Sequence, residues 1–243
     1  MRYGYVGLGN LGGHLASSLC KAGFAVAVTD IDPALGDRLV KLGATWAATP
    51  AEVAANSDHV FTCLPSPTVS ENVLAQILPH MAVGATWIEN STLGRDDILR
   101  LGQLAEDSGV RLMEAPVTGG VHLAGRGEIT VLAGGDKDLY DLHLPALQAI
   151  GGKIFHMGPL GSAAIIKVIT NMLAFIHLVA DGEALMLAKR GGLDLKTAWE
   201  AIAASSGSSF VHETEGQLIL NGSYDIAFSM DLALKDLGFA MGF

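Results

Sequence analysis

Three groups of residues in this 243-residue chain have types and spacings suited to chemistry. The first is Gly7-Leu8-Gly9-Asn10-Leu11-Gly12. An apolar run from Tyr3 precedes it, Leu15 and Leu19 follow at helical spacing, and a second apolar run ends at Asp30. In that context Gly7 permits a tight turn, Gly9 lets backbone approach a pyrophosphate, and Gly12 lets the helix pack closely on the strand. The N–H groups of the helix N-terminus face the phosphates. Asp30 is placed to accept hydrogen bonds from both hydroxyls of an adenosine ribose. A carboxylate followed by Ile31 rather than an arginine repels a 2′-phosphate, so NAD is expected over NADP. Spacing leaves open whether Arg38 reaches back toward this site.

The second group is Lys167 and Asn171, four residues apart on an apolar segment, hence on one face of a helix. A lysine among Ile165, Ile166, Val168 and Ile169 is expected to be partly desolvated, which favours the neutral amine. Such an amine can give or take a proton near neutrality, with the asparagine holding the amine or the reacting oxygen. A lysine snorkelling from a helix edge fits the same spacing. The third group is Pro116-Val117-Thr118-Gly119-Gly120, just after an apolar strand ending at Glu114. A hydroxyl followed by two glycines can turn backbone N–H groups into a nest for a carboxylate, or can simply be a flexible turn. His122 is a lone histidine, and the other histidines lack metal-ligand spacing, so no metal site is expected.

The elements that must position these groups are legible in the periodicity. Strands are expected at Tyr3–Leu8, Ala25–Thr29, His59–Leu64, Thr86–Glu89 and Arg111–Glu114, with a short one around Thr45–Ala48. Helices are expected near Leu11–Ala22, Pro33–Leu42, Pro67–Leu78 and Arg95–Ser108. This alternation predicts an α/β fold with a doubly wound parallel sheet of Rossmann type. Past Pro116 come a Gly-rich loop, a strand near Ile129–Ala133, a helix near Lys137–Ile150 and a strand near Lys153–Met157. From Ser162 the pattern is helical only: a long helix to Arg190, stopped by Gly191-Gly192, then helices near Leu195–Ala204, Val211–Leu220 and Met230–Met241. The expected domains are therefore 1–161, nucleotide-binding, and 162–243, an all-α domain for substrate and oligomerisation. The last helix opens close to Phe243, and an all-α domain of this size leaves apolar faces to cover. The C-terminal domain is accordingly expected to be incomplete, or covered by a second subunit in a homo-oligomer.

Composition bounds the partners. Fifteen basic against 25 acidic residues give a formal charge of −10, which argues against nucleic acid or an anionic membrane as partner. Half the residues are hydrophobic, enough for a sizeable core. Cys20 and Cys63 lie in apolar segments without metal-ligand spacing and read as buried, reduced thiols. With a strand starting beside Met1, no signal or transit peptide is expected, and the location expected is cytoplasmic. The longest apolar run, Ala163 to Ala180, is interrupted by Lys167, Asn171 and His177. A helix buried between domains is expected there rather than a membrane span.

Taken together, these motifs resemble those of the β-hydroxyacid dehydrogenases, the family of 3-hydroxyisobutyrate dehydrogenase and tartronate semialdehyde reductase. Gly7–Gly12 looks like the family's dinucleotide loop, with Leu11 where methionine is commoner. Glu114–Gly120 resembles its substrate-binding segment, with Thr118 in place of serine and Ala124, Gly127, Gly134 and Gly135 in register. Gly158-Pro159-Leu160-Gly161-Ser162 leading to Lys167 and Asn171 resembles its catalytic helix, with Thr170 where asparagine is common. Lys235-Asp236-Leu237 resembles its C-terminal motif. The resemblance implies Lys167 as general acid/base with Asn171 orienting it, and Thr118, Gly119 and Gly120 on the substrate carboxylate. It further implies Lys235 near substrate and nicotinamide, Phe210 in the substrate pocket, and Leu64, Pro65, Ser91 and Thr92 along the nicotinamide half of the cofactor. Family members continue past the Lys-Asp motif.

The expected activity is hydride transfer between NAD and a small β-hydroxy acid or its semialdehyde, 3-hydroxyisobutyrate being the type. A non-catalytic NAD-binding protein is the alternative from another class. Within the superfamily, a phosphorylated sugar acid calls for more arginines than the single Arg190 of the helical part. Imine-reducing relatives tend to lack the lysine.

Overall fold

The computed structural model describes residues 1–223 and 228–242. They divide into two units, Met1–Val168 and Ile169–Phe243. The expected break near Gly161 coincides with the start of the long helix, whereas this division falls within it.

The first unit opens with β1 (Arg2–Val6), α1 (Gly12–Lys21), β2 (Ala25–Thr29), α2 (Asp37–Lys41), β3 (Thr45–Trp46), α3 (Pro50–Ala55) and β4 (His59–Thr62). It continues with α4 (Pro67–Ile77), β5 (Thr86–Glu89), α5 (Arg95–Asp107), β6 (Arg111–Glu114), β7 (Val117–Thr118) and α6 (Val121–Arg126). Then come β8 (Ile129–Gly134), α7 (Lys137–Ile150), β9 (Gly151–Gly158) and the first turns of α8 (Ser162–Arg190). The sheet order is β3-β2-β1-β4-β5-β6-β8-β7, with β9 on β8. From β3 to β6 every pairing is parallel. The chain starts at β1, runs outward to β3, and returns to β4 on the other side of β1. That reversal opens a crevice at the carboxyl ends of β1 and β4, where α/β sheets bind ligands.

The alternation of elements predicts a parallel sheet, but the sheet is mixed. β8 runs antiparallel to both β6 and β7. Only the six-residue α6 intervenes, and a parallel return needs a long crossover, usually a substantial helix. The Gly-rich loop expected after Pro116 is thus a short strand followed by a short helix. Helix α3 was also absent from the periodicity, being too short to show it. Its signal is a cap: Thr49 Oγ1 accepts from Glu52 N at 3.2 Å, and Glu52 Oε2 accepts from Ala48 N at 2.8 Å. That is close to a capping box.

Side-chain alternation along the strands feeds two cores. Tyr3 and Tyr5 of β1 pack with Leu15, Leu19, Val28 and Phe61 on one face. Val6 packs with Val53, Val60, Trp87 and Leu101 on the other, as a period of two requires.

The second unit comprises the rest of α8 with α9 (Leu195–Ala203), α10 (Phe210–Asn221) and α11 (Met230–Met241). α8 ends as expected. Gly192 sits at φ +78°, and the N–H of Leu193 donates to Ala188 O at 3.0 Å, a glycine-dependent helix stop. The expectation that α8 is buried is corrected: Leu173, Ile176, Val179, Met186 and Leu187 are exposed. By length and composition alone α8 could cross a membrane. Yet Lys167, Asn171 and Asp181 along it are buried, and the last two make hydrogen bonds inside the helical unit.

Candidate active site

The glycine-rich turn has the geometry that dinucleotide binding demands. Gly7 stands at φ +94°, and a Cβ there would overlap Cys63 O; a Cβ on Gly12 would overlap Gly7 O. Both glycines are therefore required by the turn and by the contact of α1 with its own loop. Gly9 differs: a Cβ there meets nothing within 4 Å. Gly9 and Asn10 are exposed, leaving open space above the start of α1 where a pyrophosphate fits. Asp30, just past β2, accepts from Leu8 N at 2.6 Å and from Asp32 N at 3.0 Å. The carboxylate is thus fixed, with lone pairs left for ribose hydroxyls. Leu8 gives its N–H to Asp30 and its side chain to the core, so it serves the cofactor site through Asp30. Leu11 is half-buried against the same core. Ile31 is fully exposed beside Asp30. Arg38 does reach back, donating to Gly13 O at 3.0 Å, and is thereby tied to the first turn of α1.

The ends of β4 and β5 carry the next two loops, containing Leu64-Pro65 and Ser91-Thr92. Ser91 joins them: its Oγ accepts from Leu64 N at 2.7 Å and donates to Glu89 Oε1 at 2.5 Å, which also accepts from Ser91 N. Glu89 is fully buried, and burial raises its pKa against the opposing pull of Ser91. Asn90 extends the polar layer inward, accepting from Tyr5 Oη and donating to Ala115 O. Neither Glu89 nor the coupling role of Ser91 was singled out from sequence. A charged residue closing an apolar strand was the available signal. Leu64, Pro65 and Thr92 all lie at this sheet edge, half-buried or exposed.

β6 leads to the third feature. Thr118 is held in the ladder opposite Thr130, so the segment is a strand end rather than a free turn. Gly119 and Gly120 follow at φ +122° and +85°, conformations that suit glycine, and α6 starts at once. Glu114 at the end of β6 is fully buried. It accepts from Gly161 N at 2.6 Å, Ala163 N at 2.9 Å and Ala164 N at 2.8 Å, the opening turn of α8. Lys167 stands one turn further along, 8% exposed. The snorkelling alternative is therefore set aside: the lysine is buried.

In the helical unit Asn171 is buried, and its Nδ2 donates to Asp236 Oδ2 at 2.6 Å. Lys235 Nζ lies 3.0 Å from Asp236 Oδ1 and over the ring of Phe239. Asp236 was quoted in the sequence motif but given no role; its burial on α11 beside Ala233 shows it as the anchor of both Asn171 and Lys235. Phe210 opens α10 and is exposed.

A dinucleotide turn, a fixed ribose-side carboxylate and a buried lysine reached through one sheet edge define an NAD-binding oxidoreductase of α/β type. Comparison with known proteins agrees. Residues 2–158 match the NAD binding domain of 6-phosphogluconate dehydrogenase, and residues 161–242 the NAD-binding segment of NADP-dependent 3-hydroxyisobutyrate dehydrogenase. The chain is 31% identical over 245 residues to 2-(hydroxymethyl)glutarate dehydrogenase of Eubacterium barkeri, covering 99% of this chain and 81% of that protein. It is 34% identical over 247 residues to mitochondrial 3-hydroxyisobutyrate dehydrogenase of Drosophila melanogaster, covering 98% and 76%. Among solved structures, 3-hydroxyisobutyrate dehydrogenase of Mycobacterium tuberculosis with L-serine aligns at a TM-score of 0.89 and 29% identity, covering 100% and 86%. This chain belongs to the β-hydroxyacid dehydrogenase family, and it is an NAD-dependent enzyme of that family acting on small hydroxy acids.

Proposed function

We propose that the enzyme oxidises the hydroxymethyl group of a 2-substituted 3-hydroxypropanoate, with Lys167 as the proton acceptor. The names of several relatives support this substrate class, whereas a relative named for L-threonate shares only a carboxylate with a 3-hydroxyl. 3-Hydroxyisobutyrate, 2-(hydroxymethyl)glutarate and L-serine share the skeleton HOCH2–CHR–COO−, differing only in R. A common carboxylate and a common hydroxymethyl ask for one anion site and one acid/base group at a fixed separation. Thr118, Gly119 and Gly120 supply the first and Lys167 the second.

Gly7, Gly9, Gly12, Asp30 and the loops of Leu64-Pro65 and Thr92 would hold NAD, which when bound would supply the hydride acceptor. Neutral Lys167 takes the hydroxyl proton as the carbon loses its hydride, and the aldehyde forms. In the reverse direction the ammonium returns that proton to the aldehyde oxygen. Asn171, fixed by Asp236, follows one turn along the same helix, at the spacing that puts both side chains on one helix face. The observation that carries this reading is the burial of Lys167 on a helix anchored at the sheet edge that also carries the dinucleotide turn. The exposed apolar residues of α8 support a homo-oligomer, and the thiols of Cys20 and Cys63 suit a reducing cytosol.

Lys167→Ala should lower kcat by about 10²- to 10⁴-fold, the usual reach of general acid–base catalysis. NADH affinity, read by fluorescence titration, should be unchanged. Turnover near wild type would remove the lysine from the reaction. A panel of 3-hydroxyisobutyrate, L-serine and 2-(hydroxymethyl)glutarate, each with NAD and NADP, identifies R and the cofactor preference.

A further inference from the structure

We infer that Glu114 is the positioning residue for Lys167, an inference that rests on the lysine reading above. Its carboxylate is enclosed and serves one purpose in the structure. It accepts three N–H groups from the opening of α8, two on Oε1 and one on Oε2. Among the described residues no cation is paired with it, so these donors and the positive end of the helix are what balance its charge. Space has been made for it: a Cβ on Gly134 of β8 would overlap Oε1. Gly161, at φ +92°, turns the chain so that its own N–H and those of Ala163 and Ala164 converge on one carboxylate.

The geometry links two parts of the site. Glu114 precedes Thr118 by four residues along β6 and β7, so it is rigidly attached to the carboxylate nest. Ala163, whose N–H it holds, precedes Lys167 by four residues, one helical turn or roughly 6 Å along the axis. The distance between the substrate's carboxylate and the amine is therefore set through this clamp. Unpinned, α8 can tilt or slip, and a misplacement of about 1 Å can cost about 10²-fold in rate.

Glu114→Gln tests it. The amide keeps an oxygen for Gly161 and Ala163 but turns an NH2 toward Ala164 N–H, donor against donor. Single-turnover oxidation of 3-hydroxyisobutyrate, or of L-serine if that acid reacts faster, is followed by NADH absorbance. The expected result is a rate lower by about 10- to 100-fold, with NADH affinity and KM within about twofold. In a Lys167→Ala background the same substitution should cost less than about twofold, since the group it positions is gone. Glu114→Asp, which keeps the charge but shortens the reach, should fall between Gln and wild type. A wild-type rate in Glu114→Gln overturns the inference. So does an equal fold-loss with and without Lys167, which marks general destabilisation instead. Wild-type turnover in Lys167→Ala alone overturns the lysine reading, a distinct outcome.

Discussion

The two units hold their buried carboxylates by opposite means. In the α/β unit Glu89 and Glu114 sit at the ends of neighbouring strands, partnered across β5 and β6, and are held by backbone N–H groups and a serine hydroxyl. In the helical unit Asp181 and Asp236 are held by side chains: His212 of α10 for the first, and Asn171 of α8 with the neighbouring Lys235 of α11 itself for the second. The reason lies in the backbone. Strand ends, loops and first helical turns carry N–H groups without intrahelical partners, whereas a helix interior has none to spare. An α/β sheet edge can therefore hold a carboxylate with no cation, and a helical bundle has to bring a side chain. His212 shows how far this goes. Its Nδ1 faces Asp181 Oδ1 at 2.7 Å and its Nε2 faces Trp199 O at 3.0 Å. Two acceptors call for two N–H donors, which only the imidazolium supplies.

This contrast can be broken by substitution. Asp181→Ala strands a buried imidazolium and should cost about 3 kcal/mol, read as a large fall in Tm. A change within about 0.5 kcal/mol would show that the pair does not hold the helices together. Gly134→Ala forces a methyl onto Glu114 and should cost about 2 kcal/mol. Glu89→Gln should cost less than about 1 kcal/mol. The bonds from Ser91 N and Ser91 Oγ both end on Oε1, an acceptor that the amide oxygen of Gln replaces. If it costs as much as Asp181→Ala, the two units do not differ in the way described.

The subtlest test is pH. Burial raises Glu114 from the ordinary 4.5 to about 7, against the pull of its three N–H donors. A raised folded-state value means stability present below 4.5 that declines as pH rises toward 7. Glu114→Gln should flatten Tm across that window. His212 is also raised above 6.5, by Trp199 O and Asp181 against desolvation. Its contribution is complete below 6.5 and is lost as pH rises through the folded value, so Asp181→Ala should remove the slope above 6.5. Slopes of the opposite sign would refute the assignment.

Much of this was legible in the residues. The glycine turn and Asp30 were readable because each glycine answers a local steric demand, and Ser162–Arg190 because periodicity and a glycine stop bound it. Lys167 and Asn171 were readable from their spacing on an apolar helix. The antiparallel insertion of β8 and the helix α3 were not, because strand direction depends on distant partners and short elements carry little periodic signal. Glu89, Glu114 and Asp236 stood in plain view as acidic residues without assigned roles.

By itself, then, the amino-acid order determined the local devices: the turn that takes a pyrophosphate, the carboxylate beside it, and the amine and amide one helical turn apart. Which acidic groups are enclosed, and what holds each of them, was decided only by tertiary structure. A carboxylate's fate depends on whether donors from elsewhere in the chain converge on it, and no pattern along the chain encodes Glu114 and Gly161, 47 positions apart, closing into one hydrogen bond.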